Sequence, residues 1–453
     1  MDALMGTGGI GGGDKSLKMN LADTFRLAWA DPDLNQRIKY VLFIFAIYAL
    51  GIHIQVPIPG VNPVAFEQMV KDNTFFQLIS SMGGGGLKRI SIFALGLNPY
   101  ITASIIMQIM QSAFPKLKEE MKEGGEFARK KRARDTRFLA LALCIAQGLG
   151  IFKLIVQSGA IPATSQTVFV TFTVISFWTA GSMFLLWLGE QLSEKGIGNG
   201  VSLLIFAGIV ISFPFMIETV GRAVGQGTTS WLSVIAVVAL FLASTWFVVM
   251  FTISQRRIPI QHMRRQVGTK MVGGASSYLP FSLNLVGVIP IIFAMTLVYM
   301  PSQFAMMFPA NTVPHDFLLG VAKYTSPDFR TLPGIIGVFA YMGLIFFFSY
   351  FYTAIQYNVD DIADNLKRGG SFIPGFRPGK QTRDFLDAVI SRITLAGAFF
   401  LSIVAMSSYL VPVLINVQGL SMLFGTSLLI MVSVALETMR QIEANLLMKQ
   451  YGQ

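Results

Sequence analysis

The sequence predicts an all-α polytopic membrane protein with ten transmembrane helices, and three observations carry that prediction. First, 53% of its 453 residues are hydrophobic and only 13% are charged, where a soluble domain carries about a quarter. Second, one oversized core does not explain the deficit, because soluble cores stop growing near about 250–300 residues. Third, apolar runs long enough to cross a bilayer, about 17–25 residues, recur along the whole chain. The same composition narrows the chemistry. With 24 acidic residues and 3 histidines against 38 phenylalanines, little is left for a metal centre or an acid–base catalyst. The single Cys144 excludes an intrachain disulfide framework and reads as a small hydrophobe inside a helix.

Taken in order, the spans are expected at Ile38–Gln55, Leu95–Ala113, Thr136–Ile155, Val168–Leu188, Val201–Ile217, Trp231–Ile253, Leu285–Met300, Gly334–Gln356, Ile390–Pro412 and Gly419–Glu437. Pro214 and Pro290 interrupt the fifth and seventh. Membrane helices tolerate this because their neighbours re-satisfy the freed backbone groups. Residues 1–37 divide into a glycine-rich cytoplasmic tail and a short amphipathic surface helix from Leu21 to Arg37. The tail looks like half a phosphate loop, but GDKS at 13–16 breaks the required Gly–Lys step and no strand precedes it. No cleavable signal peptide is expected. Residues 38–217 then make a first five-helix half, 218–437 a second, and 438–453 a C-terminal tail. An odd number of spans per half inverts one half relative to the other, although no internal repeat is visible in the residues. Ten spans put both termini on one side of the membrane. Of the 35 Lys and Arg, 28 fall on that side and 7 on the other, so both termini are predicted to be cytoplasmic.

Several segments neither span nor look like ordinary loops. Between the first two spans, an apolar piece at 73–82 precedes Gly83, Gly84, Gly85 and Gly86, and then Leu87, Lys88 and Arg89. It is too short to cross, so it is either an interfacial helix or a movable, re-entrant stopper shielded by protein. The run RKKRAR at 129–134 reads as topological charge with lipid headgroup attraction. The long cytoplasmic loops at 254–284 and 357–389 combine cations with Gly and Pro turns. They present Arg256, Arg257, Arg264, Arg265 and Lys270 in one, and Lys367, Arg368, Arg377, Lys380 and Arg383 in the other. Both suit docking of an acidic protein or RNA surface, or simply a solvated topogenic loop. No Asp, Glu, Lys or Arg is expected at mid-membrane, where ion-coupled transporters hold such groups at real cost. A small-solute secondary transporter, the rival class, needs a polar midplane site that these spans lack. DDIAD at 360–364 resembles the Mg²⁺–diphosphate motif of membrane prenyl transfer, but only one copy exists and it abuts Lys367 and Arg368. A helix-end charge balance accounts for it instead. His53, His262 and His315 are scattered, and GIGNG at 196–200 reads as a tight turn leading into a span.

Nine stretches together resemble one family. They are SIFALGLNPYITASIIMQ (91–108), WLGEQLSEKGIGNG (187–200), QRRIP (255–259), ASSYLP (275–280), GVIP (287–290), FYTA (351–354), ADNLKR (363–368), FRPG (376–379) and GTSLLI (425–430). In this order and with this span count the chain resembles the SecY/Sec61-alpha family of protein-conducting channels, from about Phe25 to Gly452. The resemblance implies ten helices in two inverted halves, with a lateral gate between the second and seventh. It also implies a non-enzymatic channel, without cofactor or metal, in the bacterial cytoplasmic (inner) membrane. Such a channel passes unfolded secretory chains across and releases transmembrane segments sideways into lipid. A re-entrant plug helix falls on 75–89, including Phe75, Phe76, Leu78, Ile79, Met82 and Gly83 to Gly86. The family's constriction ring falls on Leu97, Ile101, Ile205, Ile292 and Ile430. The large loops correspond to docking sites for the SecA ATPase motor and for the protein and rRNA surface of the ribosome, with Arg377 at the family's prominent loop arginine. The further implied partners are the small subunits SecE and SecG, signal peptides, nascent chains and membrane lipids. Asn98 stands where many members have Met, Phe376 where many have Ile, and Leu97 widens the usual isoleucine pattern of the ring.

Overall fold

The computed structural model describes every residue except 1–20, 61–79, 81–82, 115–116, 118–119, 121–123, 158–166, 226, 228–229, 263–264, 268–269, 273–275, 306–307, 309–311, 416–423 and 452–453. Asp31 divides the first helical stretch in two. It ends α1 (Leu21–Ala30) and caps α2 (Pro32–His53), its carboxylate accepting the N–H groups of Asp33 at 3.0 Å and Leu34 at 3.2 Å. Pro32 supplies the first helical φ. The expected surface helix from Leu21 to Arg37 is therefore α1 alone, and its last turns belong to the helix that becomes the first span.

The other nine expected spans each meet a helix. They are α3 (Asn98–Ala113), α4 (Gly125–Gln157), α5 (Val168–Lys195), α6 (Gly200–Gly225) and α7 (Trp231–Ile253), then α8 (Ile289–Ala305). An unexpected helix, α9 (Val313–Thr325), leads to α10 (Leu332–Gln356). A second one, α11 (Val359–Arg368), leads to α12 (Lys380–Ile415) and α13 (Thr426–Tyr451). Among the described residues, 6 helices are long and apolar enough to cross a membrane by themselves. Two of the rest fall short because the chain enters them through turns. α3 has 16 residues and α8 has 17, or about 25 Å at 1.5 Å per residue. Their expected first residues, Leu95 to Leu97 and Leu285 to Val288, lie in turns and bends.

Those turns are packed into the bundle. From Gly83 to Leu97 the backbone folds back on itself. It is pinned to the end of α2 by Val56 N–H to the Ile90 carbonyl at 2.9 Å and Ile92 N–H to the Ile54 carbonyl at 3.0 Å. α5 lies so close that a Cβ added at Gly181 would sit 2.0 Å from the Ile92 carbonyl oxygen, so only glycine fits there. Around this segment lie two apolar clusters, one centred on Trp178, Phe293 and Tyr341, the other on Phe93, Leu185 and Leu204.

The two long loops form one structure. β1 (Gln255–His262) pairs antiparallel with β4 (Ser276–Ser282), from Gln255↔Ser282 to Gln261↔Ser276, and also with β5 (Ser371–Phe372). At the hairpin tip, β2 (Arg265–Val267) pairs with β3 (Lys270–Val272). His262 ties the loops together, bonding Ser371 Oγ at 2.8 Å and Ser277 Oγ at 3.2 Å through its two ring nitrogens. Ile258, Phe281, Ile373 and Leu386 bury a small core beneath. In α11 the DDIAD acids have ordinary work. Asp360 and Asp361 lie in its first turn and Lys367 and Arg368 in its last, complementing the helix dipole, and Asp360 pairs with Arg383 at 2.9 Å.

The two ends of the described chain meet at one end of the bundle. Lys449 Nζ of α13 lies 2.8 Å from Asp31, and Ala28, Leu34, Ile442 and Leu446 pack beside the pair. Arg440 reaches the Thr252 carbonyl at 3.4 Å, which brings the base of the hairpin to the same end.

Candidate functional site

A cleft of about 860 Å³ opens between α3, α5 and α8. Its floor is apolar, made of Ile101 and Ile105 from α3 and Ile289, Ile292 and Phe293 from α8. Its rim is polar, with Gln108, Arg137, Glu190, Glu194 and Asn199. The rim is built by local capping chemistry. Gly198 takes a left-handed φ of 84°, Asn199 accepts the N–H groups of Val201 and Ser202 at 3.1 and 3.3 Å, and Ser193 Oγ accepts the Gly200 N–H at 2.8 Å. The GIGNG run is thus the tight turn expected before α6.

Beside the cleft the five predicted constriction side chains come together. Leu97, Ile205 and Ile430 are buried in a single apolar cluster, and Ile101 and Ile292 pack against it with one face turned to the cleft. Four separate parts of the chain supply them: the turn before α3 with α3 itself, α6, α8 and α13. All five are branched aliphatic groups, so their contact with one another is by dispersion and their side chains bring no hydrogen-bonding group to it.

Of the predicted plug, Phe75, Phe76, Leu78, Ile79 and Met82 lie outside the described residues. Gly83, Gly84 and Gly86 are described and buried. Gly84, at φ 67°, is seated against Ile52 of α2 and Gly208 of α6, where an added Cβ would lie 2.5 Å from Ile52 Cδ1. The backbone closes on itself through Gly85 N–H to the Ser80 carbonyl at 2.6 Å and Gly86 N–H to the Gly83 carbonyl at 3.1 Å. On the far side, Lys88 covers the Phe215 ring at 4.1 Å and Arg89 bonds His53 Nε2.

The predicted docking cations sit at the end that carries both chain ends. Arg256 and Arg257 are exposed on β1, with Arg257 over the Tyr278 ring at 5.1 Å. Arg265 opens β2 and Lys270 opens β3, while Arg264 lies outside the described residues. Lys367 and Arg368 end α11, exposed. Arg377 is exposed on a turn whose backbone is fixed on both sides. Its N–H donates to Gln381 Oε1 at 3.2 Å and its carbonyl accepts from Thr382 Oγ1 at 2.9 Å, which leaves the guanidinium facing solvent. The acidic and basic groups of the cleft rim were not singled out by sequence reasoning. Glu190, Glu194 and Arg137 lie near span ends, where charges are commonplace, and only the packing of α4 against α5 brings them to one cavity. No cluster of three or more metal-ligating side chains occurs among the described residues.

Comparison with known proteins gives a consistent result. A family model described as SecY matches residues 91–439. Protein translocase subunit SecY of Aquifex aeolicus is 41% identical over 428 residues, covering 92% of this chain and 96% of the relative. A solved structure described as "The structure of a protein conducting channel" superposes with a TM-score of 0.67 at 20% identity, covering 93% of this chain and 96% of that one. The canine Sec61 of a ribosome–channel complex from the endoplasmic reticulum superposes with a TM-score of 0.60 at 17% identity, again over 93% and 96%. At such identities these two structures speak for the fold.

Proposed function

We propose that this chain, which belongs to the SecY family, is the pore subunit of a protein-conducting channel. It passes unfolded secretory polypeptides across the membrane and releases apolar segments sideways into lipid. The observation that carries the reading is the junction of an apolar-floored cleft with five branched aliphatic side chains from four parts of the chain. Such a constriction yields around an extended chain of any sequence, offers it no fixed charge, and dewets against ion leakage when empty. A solute carrier needs the opposite, polar groups converging on one ligand.

In this reading Leu97, Ile101, Ile205, Ile292 and Ile430 form the ring, and the segment at 75–89 stoppers it from the far side. α3 and α8, which face each other across the cleft, part to form the lateral exit. Energy comes from partners, since the chain has no nucleotide-binding motif. The β1–β4 hairpin and the Arg377 turn, joined through β5, give a SecA-type motor or a ribosome one continuous cationic platform in the cytoplasm. Small single-span subunits of the SecE and SecG type complete the complex. Both termini are cytoplasmic, in the inner membrane of a bacterium.

The test is site-specific photocrosslinking in cells. A secretory protein stalled during export is expected to crosslink to a photoreactive residue at position 101, 205, 292 or 430, and not to one at the outward-facing Phe347. Equal labelling at Phe347, or none at the ring, overturns the reading. A reporter fused after Gln453 is expected to stay cytoplasmic while one near Asn311 is exported.

A further inference from the structure

The rim of the cleft is chemically lopsided. Its α5 side carries Glu190 and Glu194, and its α4 side carries Arg137. A smaller adjoining cavity of about 190 Å³ brings Arg129 and Arg132 of α4 to the same mouth. Glu190 is engaged, with Arg137 Nε at 2.7 Å from its carboxylate. Glu194 is exposed, lines the cleft and makes no ion pair among the described residues, while the neighbouring Lys195 is not among the residues that line the cleft. Two carboxylates one turn apart on a helix repel each other, so the second one adds nothing to the folding of α5. The space in front of it has a definite character. The floor accepts apolar side chains, the α4 wall repels cations, and the α5 wall attracts them.

We propose that Glu194 is a specificity-determining residue of the cleft. It accepts the Lys or Arg side chains that flank an apolar run at the leading end of an incoming polypeptide. Arg129 and Arg132 turn the same flank away from the opposite wall, so attraction and repulsion together fix which way round the segment lies. The proposal rests on the reading of the chain as a protein-conducting channel. A cationic stretch followed by an apolar run of about 7–15 residues is the make-up of a secretory leader, and the lining matches it part by part. Ile101, Ile105 and Ile292 lie under the apolar run, and Glu194 stands at its charged end. Glu190 stays with Arg137 and keeps that arginine from neutralising Glu194.

The experiment measures binding first and export second. The full chain in nanodiscs of zwitterionic lipid is titrated with two fluorescent synthetic peptides that share one apolar run. One carries three lysines before it and the other three glutamates, and empty nanodiscs serve as the blank. The wild type is expected to favour the lysine peptide. Glu194→Lys is expected to move the ratio of the two affinities by about threefold or more toward the acidic peptide, since it converts one partly exposed attraction into a repulsion. Glu194→Gln is expected to move it part of the way. An unchanged ratio in Glu194→Lys, or an equal loss of both peptides in both variants, overturns the assignment. Reporters with the same two leaders then separate the two claims. A charge-dependent shift in peptide binding with no export of any reporter removes the channel reading and keeps the cleft assignment. Normal export with an unchanged binding ratio does the reverse.

Discussion

Two seams of the bundle, α6 against α13 and α3 across from α8, are built differently. At the back, α6 and α13 pack directly, Leu203, Leu204 and Ile205 against Ile430 and Val434, and at the bundle end α1 and α13 add an apolar patch and the Asp31–Lys449 ion pair. At the front, α3 and α8 stand apart across the cleft and share only its floor. α4 reaches α8 there through apolar side chains and one neutral bond, Gln147 Nε2 to Gln303 Oε1 at 3.3 Å. A seam made of continuous packing resists separation, whereas one interrupted by a cavity has already lost part of its contact. On the proposed channel reading, the back is then the pivot and the front the side that parts.

The largest effect expected from this comparison is at the proposed ring, which touches both seams. Ile292 faces the cleft with one side, whereas Ile430 is buried at 2% exposure. Burying one branched side chain is worth about 1.5–3 kcal/mol. Ile292→Asn and Ile430→Asn are therefore both expected to raise the open population roughly tenfold or more. Resting ion conductance should increase, and reporters with defective leaders should be exported. The variants should differ in stability. The amide at 292 reaches water in the cleft, while the amide at 430 is left without a partner, at a cost of about 1–3 kcal/mol. Single-channel conductance in planar bilayers and thermal unfolding in detergent measure the two effects separately. Equal unfolding temperatures for the two variants would break the distinction between the seams.

The parts of this architecture that the sequence makes legible are those fixed by local burial. Ten apolar runs become ten helices because each satisfies its own backbone groups in lipid. Where tertiary packing decides, local reading stops. Leu95 to Leu97 look like the start of a span, yet Gly96 takes a positive φ of 57° and the helix begins only at Asn98, ahead of Pro99. The hairpin is hidden because QRRIPIQH carries a proline and five polar residues, and only Ile258 and Ile260 turn inward. α9 is hidden in the same way, by the Pro, His and Asp of its first turn. The ring residues are ordinary Leu and Ile whose convergence no spacing reveals. Only family resemblance proposes them as a ring, and the rim carboxylates, which that resemblance leaves unassigned, are brought together only by the cavity.

A smaller effect is expected at the front bond. Side-chain hydrogen bonds inside membranes average about 0.6 kcal/mol, so Gln147→Leu is expected to raise the open population about threefold. Gln303→Leu should do the same, and the double variant should do no more than either alone, because both remove one interaction. Crosslinking between cysteines placed on α4 and α8 reports the separation. Additive effects in the double variant would show that the pair does not hold the seam.

The smallest effect is expected at the back, from the Asp31–Lys449 pair. The hydrogen bond from Lys449, joined by the backbone N–H groups of Leu34 and Asp33, holds the Asp31 carboxyl below the usual carboxylate range, and Asp31 in turn raises Lys449. A depressed carboxylate pKa fixes the sign. The pair's contribution is fully present above the ordinary carboxylate range and is lost as pH falls through the lowered folded value, because the unfolded chain takes up the proton first. Lys449 is exposed and Asp31 is partly so, which leaves the pair open to solvent and its contribution screened and small. Lys449→Gln should consequently leave conductance and export unchanged at pH 7, and should slightly lower the unfolding temperature only where Asp31 is still ionised. If the unfolding temperatures of wild type and Lys449→Gln are compared from pH 7 down to pH 3, their small difference should vanish at the acid end. A difference that grows toward acid has the wrong sign for this pair. A large rise in leak from Lys449→Gln at neutral pH would make the back seam, and not the front, the side that opens.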